Sequence, residues 1–340
     1  MKILYIFPKY KSHYRAALAY CGLMREWHSF VSRVAEADVV FLHCEPHDYA
    51  SIWWTYRLRN KYVVSCAVWE ADDLPDSYKQ SMEFVQEVWV PSQYCKAAFE
   101  RYHPRVHVVP YVLAPPACFS DGERSAVRQM IGYEENCVYY LTITKIRDKR
   151  KNARILIDAF ESLGAEMPDA RLIIKASDRE LAPRVSDPRI IVINADLAES
   201  LIAALYESAH VYLSAHHSEG WGFTIADALQ FQKPTIATGY SGNLEFTNDQ
   251  NSFLLEFEED HIREEDVFGP FTNRMKWAYP SREDLEDKLL TLYGCREDSA
   301  VQEIVRAKLC AAADIHRFDP EKVASILRLR LEQIANRLAI

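Results

Sequence analysis

Short runs of β-branched and aromatic residues at 3–7, 39–43, 62–65, 87–90 and 106–109 alternate with longer stretches of helical period through the first third of the chain. Such alternation, with short loops between, predicts one parallel sheet covered by helices on both faces. The pattern breaks at Val112-Leu113-Ala114-Pro115-Pro116, which reads as a linker. It restarts with predicted strands at 137–144, 171–175, 190–193, 210–215 and 234–238 and predicted helices at 155–163, 197–206 and 224–232. Two more helices are expected at 281–293 and 303–315. Asp319-Pro320-Glu321 places Pro at a first helical position and predicts a last helix whose apolar face is Val323, Ile326, Leu327, Leu331, Ile334 and Leu338. The expected class is α/β, with domains at 1–114 and 117–318 and a closing helix at 319–340.

Composition narrows the function. A chain of 340 residues with 49% hydrophobic content can fill two cores. Its net charge of −9 argues against a nucleic-acid partner, because phosphate binding needs a basic face. The first 116 residues carry 13 Lys and Arg against 12 Asp and Glu, and the remainder 27 against 37. Half of that acidic excess follows Asp249, where a solvated surface is expected. The eight cysteines stand singly, most of them in apolar segments, so buried free thiols in a reducing cytosol are expected rather than disulfides or zinc ligands. Residues 2–8 are too short for a leader peptide and no apolar run approaches a membrane span, so the expected location is cytoplasmic.

Ligands of parallel sheets bind beyond the strand carboxyl ends, so the loops there hold the candidate chemistry. In the second domain Glu219 lies in a polar loop, and Asp227 follows eight residues on, inside the helix that begins near Gly222. The unpaired amides and positive dipole end of that helix suit an anion. The loop Gly239-Tyr240-Ser241-Gly242-Asn243 repeats the arrangement, and its glycines would let the backbone approach a ligand. Five cations crowd into seven positions after the first strand of this domain: Lys145, Arg147, Lys149, Arg150 and Lys151. Their mutual repulsion calls for solvent or an anion, and a leaving diphosphate is the natural partner. Lys149 and Arg150 are expected to be solvated.

In the first domain the corresponding loops are Pro8-Lys9-Tyr10-Lys11-Ser12-His13, residues 43–48 and Trp69-Glu70-Ala71-Asp72-Asp73-Leu74-Pro75. His43, Glu45 and His47 lack a fourth ligand at a known spacing, so no metal is expected there. Residues 53–61 mix aromatics and cations as an interfacial helix would, though a sheet-covering helix with a solvated basic edge is the plainer reading. There is no D-x-D in the chain, which removes the usual metal-diphosphate motif.

Glu219, Gly220-Trp221-Gly222-Phe223, Asp227, Lys233-Pro234, Ala237-Thr238 and Ser241-Gly242-Asn243-Leu244-Glu245 closely resemble the donor-binding core of the family 4 retaining glycosyltransferases of the GT-B fold. The resemblance implies two Rossmann-like domains facing across a cleft. It implies that Glu219 contacts the donor sugar and that the second acid holds the ribose hydroxyls, with Gly220 to Thr224 and Ser241 to Asn243 around the nucleotide. That second acid is usually Glu in the family; here it is Asp227, one methylene shorter. Lys151 matches the family's diphosphate lysine, while the second basic residue falls on Lys145 by spacing or on Arg147 by residue type. Trp69-Glu70-x-Asp72-x-Leu74-Pro75 with Trp89-Val90-Pro91-Ser92 resembles the acceptor domain of a branch of the family, which implies Glu70 at the crevice, and the last helix is expected to cross back to the first domain.

The expected activity is retaining, metal-independent transfer of a sugar from a nucleotide-diphosphate sugar to a saccharide or lipid-linked acceptor. No cofactor is expected, and peripheral contact with the inner face of the membrane accompanies the lipid-linked case. A catalytically impaired nucleotide-sugar-binding subunit of a glycosyltransferase complex is the alternative, motivated by Asp227 and by the ambiguous first phosphate cation. A two-domain dehydrogenase is disfavoured because no G-x-G-x-x-G follows an early strand.

Overall fold

The computed structural model describes residues 1–7, 11–176 and 185–339. Residues 8–10 of the first polar loop lie outside them. Six strands build the first sheet: β1 (Lys2–Ile6), β2 (Ser29–Phe30), β3 (Val39–Leu42), β4 (Tyr62–Cys66), β5 (Glu87–Val90) and β6 (Val106–Val108), in the order β2-β1-β3-β4-β5-β6. Six more build the second: β7 (Val138–Thr144), β8 (Ala170–Ala176), β9 (Ile190–Asn194), β10 (Val211–Ser214), β11 (Thr235–Thr238) and β12 (Phe253–Leu255), in the order β12-β11-β10-β7-β8-β9. Every pairing in both sheets is parallel, as in Ile3 opposite Val39 and Val138 opposite Ala170. Helices therefore cover both faces, and central strands such as β3 are buried along their whole length.

The strands expected from apolar runs fall within a residue or two of these positions. Edge strands β2 and β12 were not expected, since two and three residues are too short to carry a period. The helix expected at 303–315 runs over Ser299–Ala311 and tightens into a 3₁₀ turn at Ala312–Phe318. Residues 53–61 are not one helix: Tyr49–Tyr56 is helical, Arg57 takes the left-handed φ of 55°, and a 3₁₀ turn follows at Leu58–Asn60. Trp53 packs on Phe84 at 5.7 Å, whereas Trp54 is 75% exposed. Among the described residues no helix is long and apolar enough to cross a membrane.

Two devices tie the sheets together. The Pro320–Leu338 helix buries Val323, Leu327, Leu331 and Ile334 in a cluster that also holds Ala16, Ala17, Tyr20 and Trp89 of the first sheet's layer. Arg330 on this helix donates to the fully buried Glu87 of β5 at 2.9 Å, and Trp89 and Tyr62 donate to the same carboxylate at 2.7 and 3.0 Å.

The second device is a hairpin within the acidic stretch after Asp249, whose acids are solvated as expected but whose pairing was not foreseen. Phe257–His261 and Lys276–Pro280 form an antiparallel hairpin, β13 and β14. The acids of β13 are exposed, but Trp277 of β14 is buried beside Phe271, Trp69 and the first sheet's core. Phe271 stacks on Trp69 at 4.7 Å. β14 is five residues long and buried continuously from Trp277 to Pro280, so it carries no alternation from which a hairpin could be read.

Candidate active site

The carboxyl ends of the two sheets bring loops from both domains together around Glu219. The Ala215–Trp221 segment leaves β10 and enters the Phe223–Gln230 helix through Gly222, whose φ of +94° needs a residue without Cβ. No side chain caps this helix, so its first amides keep their donor capacity.

The other glycines serve packing rather than ligand approach. A Cβ on Gly220 would lie 2.1 Å from Val68 Cγ2 and 3.1 Å from the Trp69 carbonyl of the opposite domain. One on Gly242 would lie 2.2 Å from the Gly220 carbonyl. Ser92 Oγ donates to that carbonyl at 2.8 Å, so Gly220 is one of the points where the two domains touch. The Ser241–Asn243 loop is likewise spent internally. The Glu219 amide donates to Ser241 Oγ at 2.8 Å, and the Gly242 amide returns to the Glu219 carbonyl at 2.8 Å. Asn243 Nδ2 donates to the Thr238 carbonyl at 3.0 Å, and its Oδ1 meets His216 Nε2 at 3.0 Å. Ser241 and Gly242 therefore hold the Glu219 backbone in place while Asn243 fixes His216, and the expected phosphate role of the Gly242 amide is withdrawn. Trp221 is corrected too: at 2% exposure it packs on Phe318 at 5.0 Å and Phe246 at 5.2 Å as core. Thr224 offers its carbonyl to Tyr206, and Phe223 stacks on Tyr111 at 5.1 Å.

The Glu219 carboxylate is paired on both oxygens, with Lys151 Nζ on Oε1 and Arg150 Nη1 3.2 Å from Oε2. Burial would raise its pKa, but Lys151, Arg150 and His216 outweigh that and hold it down to about 2. Arg150 is the main correction among the cations. It is buried, donates to the Ser218 carbonyl at 2.7 Å, and faces Asp148 at 3.2 Å and Glu70 of the first domain at 3.9 Å. It was expected to be solvated, but the loops that carry Ser218, Glu219 and Glu70 close over it beside its own neighbour Asp148. Lys149 is exposed as expected, reaching the Glu265 carbonyl. Lys145 and Arg147 are exposed, and the Lys145 charge reaches across to His13.

From the first domain, Glu70 faces this cluster through Arg150. Burial raises its pKa to about 7, with Glu45, Glu219 and Asp148 adding to the rise and Arg150 opposing it. Its own carbonyl accepts from Trp277 Nε1 at 2.8 Å, and Asp72 accepts from the Lys276 amide at 2.6 Å, so the hairpin fixes the loop that carries Glu70. Glu45 lies 3.4 Å from His13 Nδ1 and accepts from the Tyr78 hydroxyl. His43 instead bonds Tyr5 at 2.7 Å, so His43, Glu45 and His47 do not converge, and no metal-ligand set occurs among the described residues. Burial lowers the His13 pKa against the pull of Glu45. Asp227, the short acid at the position where the resemblance implies a ribose contact, has both oxygens engaged by Arg15 of the first domain, at 2.9 and 3.0 Å. Arg15, His13 and Arg150 were missed as site residues. Only Arg150, beside the matched Lys151, carried a local signal.

The sequence profile of the glycosyl transferases group 1 family matches residues 138–264, the span that holds Lys151, Glu219 and Asp227. A comparison with curated proteins by sequence finds no match. Among solved structures, Anabaena Alr3699/HepE, determined in complex with UDP and glucose, superposes with a TM-score of 0.70 at 15% identity over 98% of this chain and 100% of that one. A glycosyltransferase from Rickettsia africae ESF-5 gives 0.66 at 14% identity over 98% of both chains. WaaG, a glycosyltransferase involved in lipopolysaccharide biosynthesis, gives 0.63 at 14% identity over 96% of this chain and 99% of that one. The fold is the GT-B fold of those solved structures, and residues 138–264 are similar to the group 1 glycosyl transferases.

Proposed function

We propose that the protein is a retaining, metal-independent glycosyltransferase that moves a sugar from a nucleotide-diphosphate sugar to a saccharide or lipid-linked acceptor. The observation that carries this reading is the meeting of Lys151, from the loop after β7, with Glu219, from the loop after β10, at the carboxyl edge of the matched sheet. With a pKa near 2, Glu219 stays ionised and acts as an acceptor for the hydroxyls of the donor sugar rather than as a proton source. Breaking the bond from C1 to phosphate oxygen leaves growing negative charge on the diphosphate, and the Lys151 ammonium stabilises it as a fixed cation. The uncapped first turn of the Phe223–Gln230 helix offers amides to the same anion. The Anabaena protein's complexes make UDP-glucose the first donor to try.

Incubating the protein with a panel of nucleotide sugars and measuring nucleoside diphosphate release tests the activity. Lys151→Ala and Glu219→Ala should each depress turnover at least about tenfold with the fold intact, since a preorganised charge partner of the transition state is lost. Normal rates in both would discredit the assignment. Retention is checked by assigning the anomeric proton coupling of the product once an acceptor is found.

A further inference from the structure

A cavity of about 710 Å³ opens beside the β13–β14 hairpin, within the span of roughly 300–1,000 Å³ that small-molecule sites occupy. Its wall includes Asn152, directly after Lys151, and His217, two residues before Glu219, together with Arg263 and Tyr279 of the hairpin. The two loops that carry the candidate catalytic pair thus form part of a second hollow. His217 gives it a fixed acceptor. Nδ1 lies 2.7 Å from the Ala278 carbonyl, which can only accept, so Nδ1 carries the proton and Nε2 keeps a lone pair. Burial lowers the pKa of the ring, against the pull of Ala278 and Asp266 and with help from Arg263 and Arg150, so the imidazole is neutral at neutral pH. The ring stacks on Trp277 at 5.5 Å and 2° between planes, and with Nδ1 engaged Nε2 is its open polar atom.

Arg263 gives fixed donors. Its guanidinium carbon lies 3.9 Å over the Tyr279 ring, and its amide donates to the Tyr279 hydroxyl at 2.8 Å, which pins the stack. No hydrogen bond or ion pair of the Arg263 side chain is seen among the described residues, so its N–H groups stay available in a plane set by the ring. Five carboxylates against three guanidiniums line the cavity, an acidic balance that disfavours a phosphate or other polyanion. Among the described residues no three acids, histidines or cysteines converge as a metal site. Interleaved donors and acceptors match a neutral polyol, since each sugar hydroxyl both donates and accepts. We propose that this cavity is a second carbohydrate site, apart from the donor cleft, that takes a neutral oligosaccharide. That the oligosaccharide is the acceptor or product chain rests on the transferase reading above. A chain held there stays beside the loops that carry Lys151 and Glu219 between transfers, and it touches them through His217, whose amide donates to the Arg150 carbonyl at 2.8 Å.

The test is saturation-transfer NMR of the full chain with maltose, cellobiose, lactose and N,N′-diacetylchitobiose, each titrated for a Kd. At least one should bind at about 1 mM, since each hydroxyl exchanges water for protein partners at small net gain. Arg263→Ala removes an exposed side chain and should weaken binding about tenfold. His217→Phe keeps a ring on Trp277 without the Nε2 acceptor and should also weaken it about tenfold; Arg263→Ala carries the test alone if that protein does not fold. Glu219→Ala should bind the disaccharide like the wild type, because Glu219 does not line the cavity. No binding of any of these sugars, or Arg263→Ala binding as tightly as the wild type, refutes the site. Binding lost in Glu219→Ala but kept in both cavity variants places the sugar in the donor cleft and refutes it too. Nucleoside diphosphate release from a nucleotide sugar checks the transferase reading separately. Arg263→Ala should keep that release, and disaccharide binding in a protein that releases none leaves this site standing while the transferase reading fails.

Discussion

Replacing Glu219 by Gln removes one charge from a buried triad and changes how the protein's stability depends on pH. The carboxylate side chain is 8% exposed and shares its oxygens between Lys151 and Arg150. Its folded pKa of about 2, against an ordinary 4.5, means that the native state holds the ionised form preferentially. A depressed carboxylate contributes stability that is present above the unfolded pKa and is lost as pH falls toward the folded one. The full contribution is about 3 kcal/mol at 1.36 kcal/mol per pK unit, and about 2 kcal/mol of it disappears between pH 5 and pH 3. Urea unfolding of wild type and Glu219→Gln across that range isolates the term, because the other carboxylates titrate in both proteins. The wild type should lose about 2 kcal/mol more than the variant. Parallel pH slopes would refute the reasoning and would mean that Lys151 and Arg150 do not hold this carboxylate in solution.

Other expectations follow from single contacts. Arg330→Met leaves the fully buried Glu87 without its 2.9 Å partner and should cost about 3 kcal/mol by urea unfolding; a loss below ~1 kcal/mol would mean that the last helix is not docked by this pair. Gly220→Ala places a methyl 2.1 Å from Val68 Cγ2, so it should destabilise by about 1–3 kcal/mol, and Val68→Ala in the same chain should recover part of that loss. Glu70 titrates in the opposite sense to Glu219. Its raised pKa of about 7 makes its contribution complete below pH 4.5 and lost as pH rises through 7, so Glu70→Gln should become more stable relative to wild type between pH 5 and pH 8. An unchanged difference across that range would place Glu70 in water.

The strands and the linker were legible because buried parallel strands write continuous apolar runs into the chain, as at Val39–Leu42 and Val138–Thr144. Glu219 and Lys151 were legible from motif and spacing, and the structure brings them into contact. Arg150 was misread because its burial depends on acids brought in by other loops, here Glu219 and Glu70, beside its own neighbour Asp148, and no local pattern reports that. The glycines at 220 and 242 looked like ligand-approach positions. A sequence cannot tell a backbone approaching a ligand from a backbone approaching another domain. Arg15 had no signal at all, since its partner lies 212 residues away. The hairpin at Phe257–Pro280 carries no alternation to report it, since one strand is exposed throughout and the other is buried from Trp277 to Pro280.

Calorimetric titration with UDP and the other nucleoside diphosphates asks whether Lys151 and Glu219 face a nucleotide-sugar donor. Saturable binding of at least one of them is expected below millimolar concentration, weakened about tenfold by Lys151→Ala through the lost charge-assisted contact. Absence of heat for every nucleoside diphosphate at millimolar concentration, or equal affinity in the Lys151→Ala protein, would contradict it.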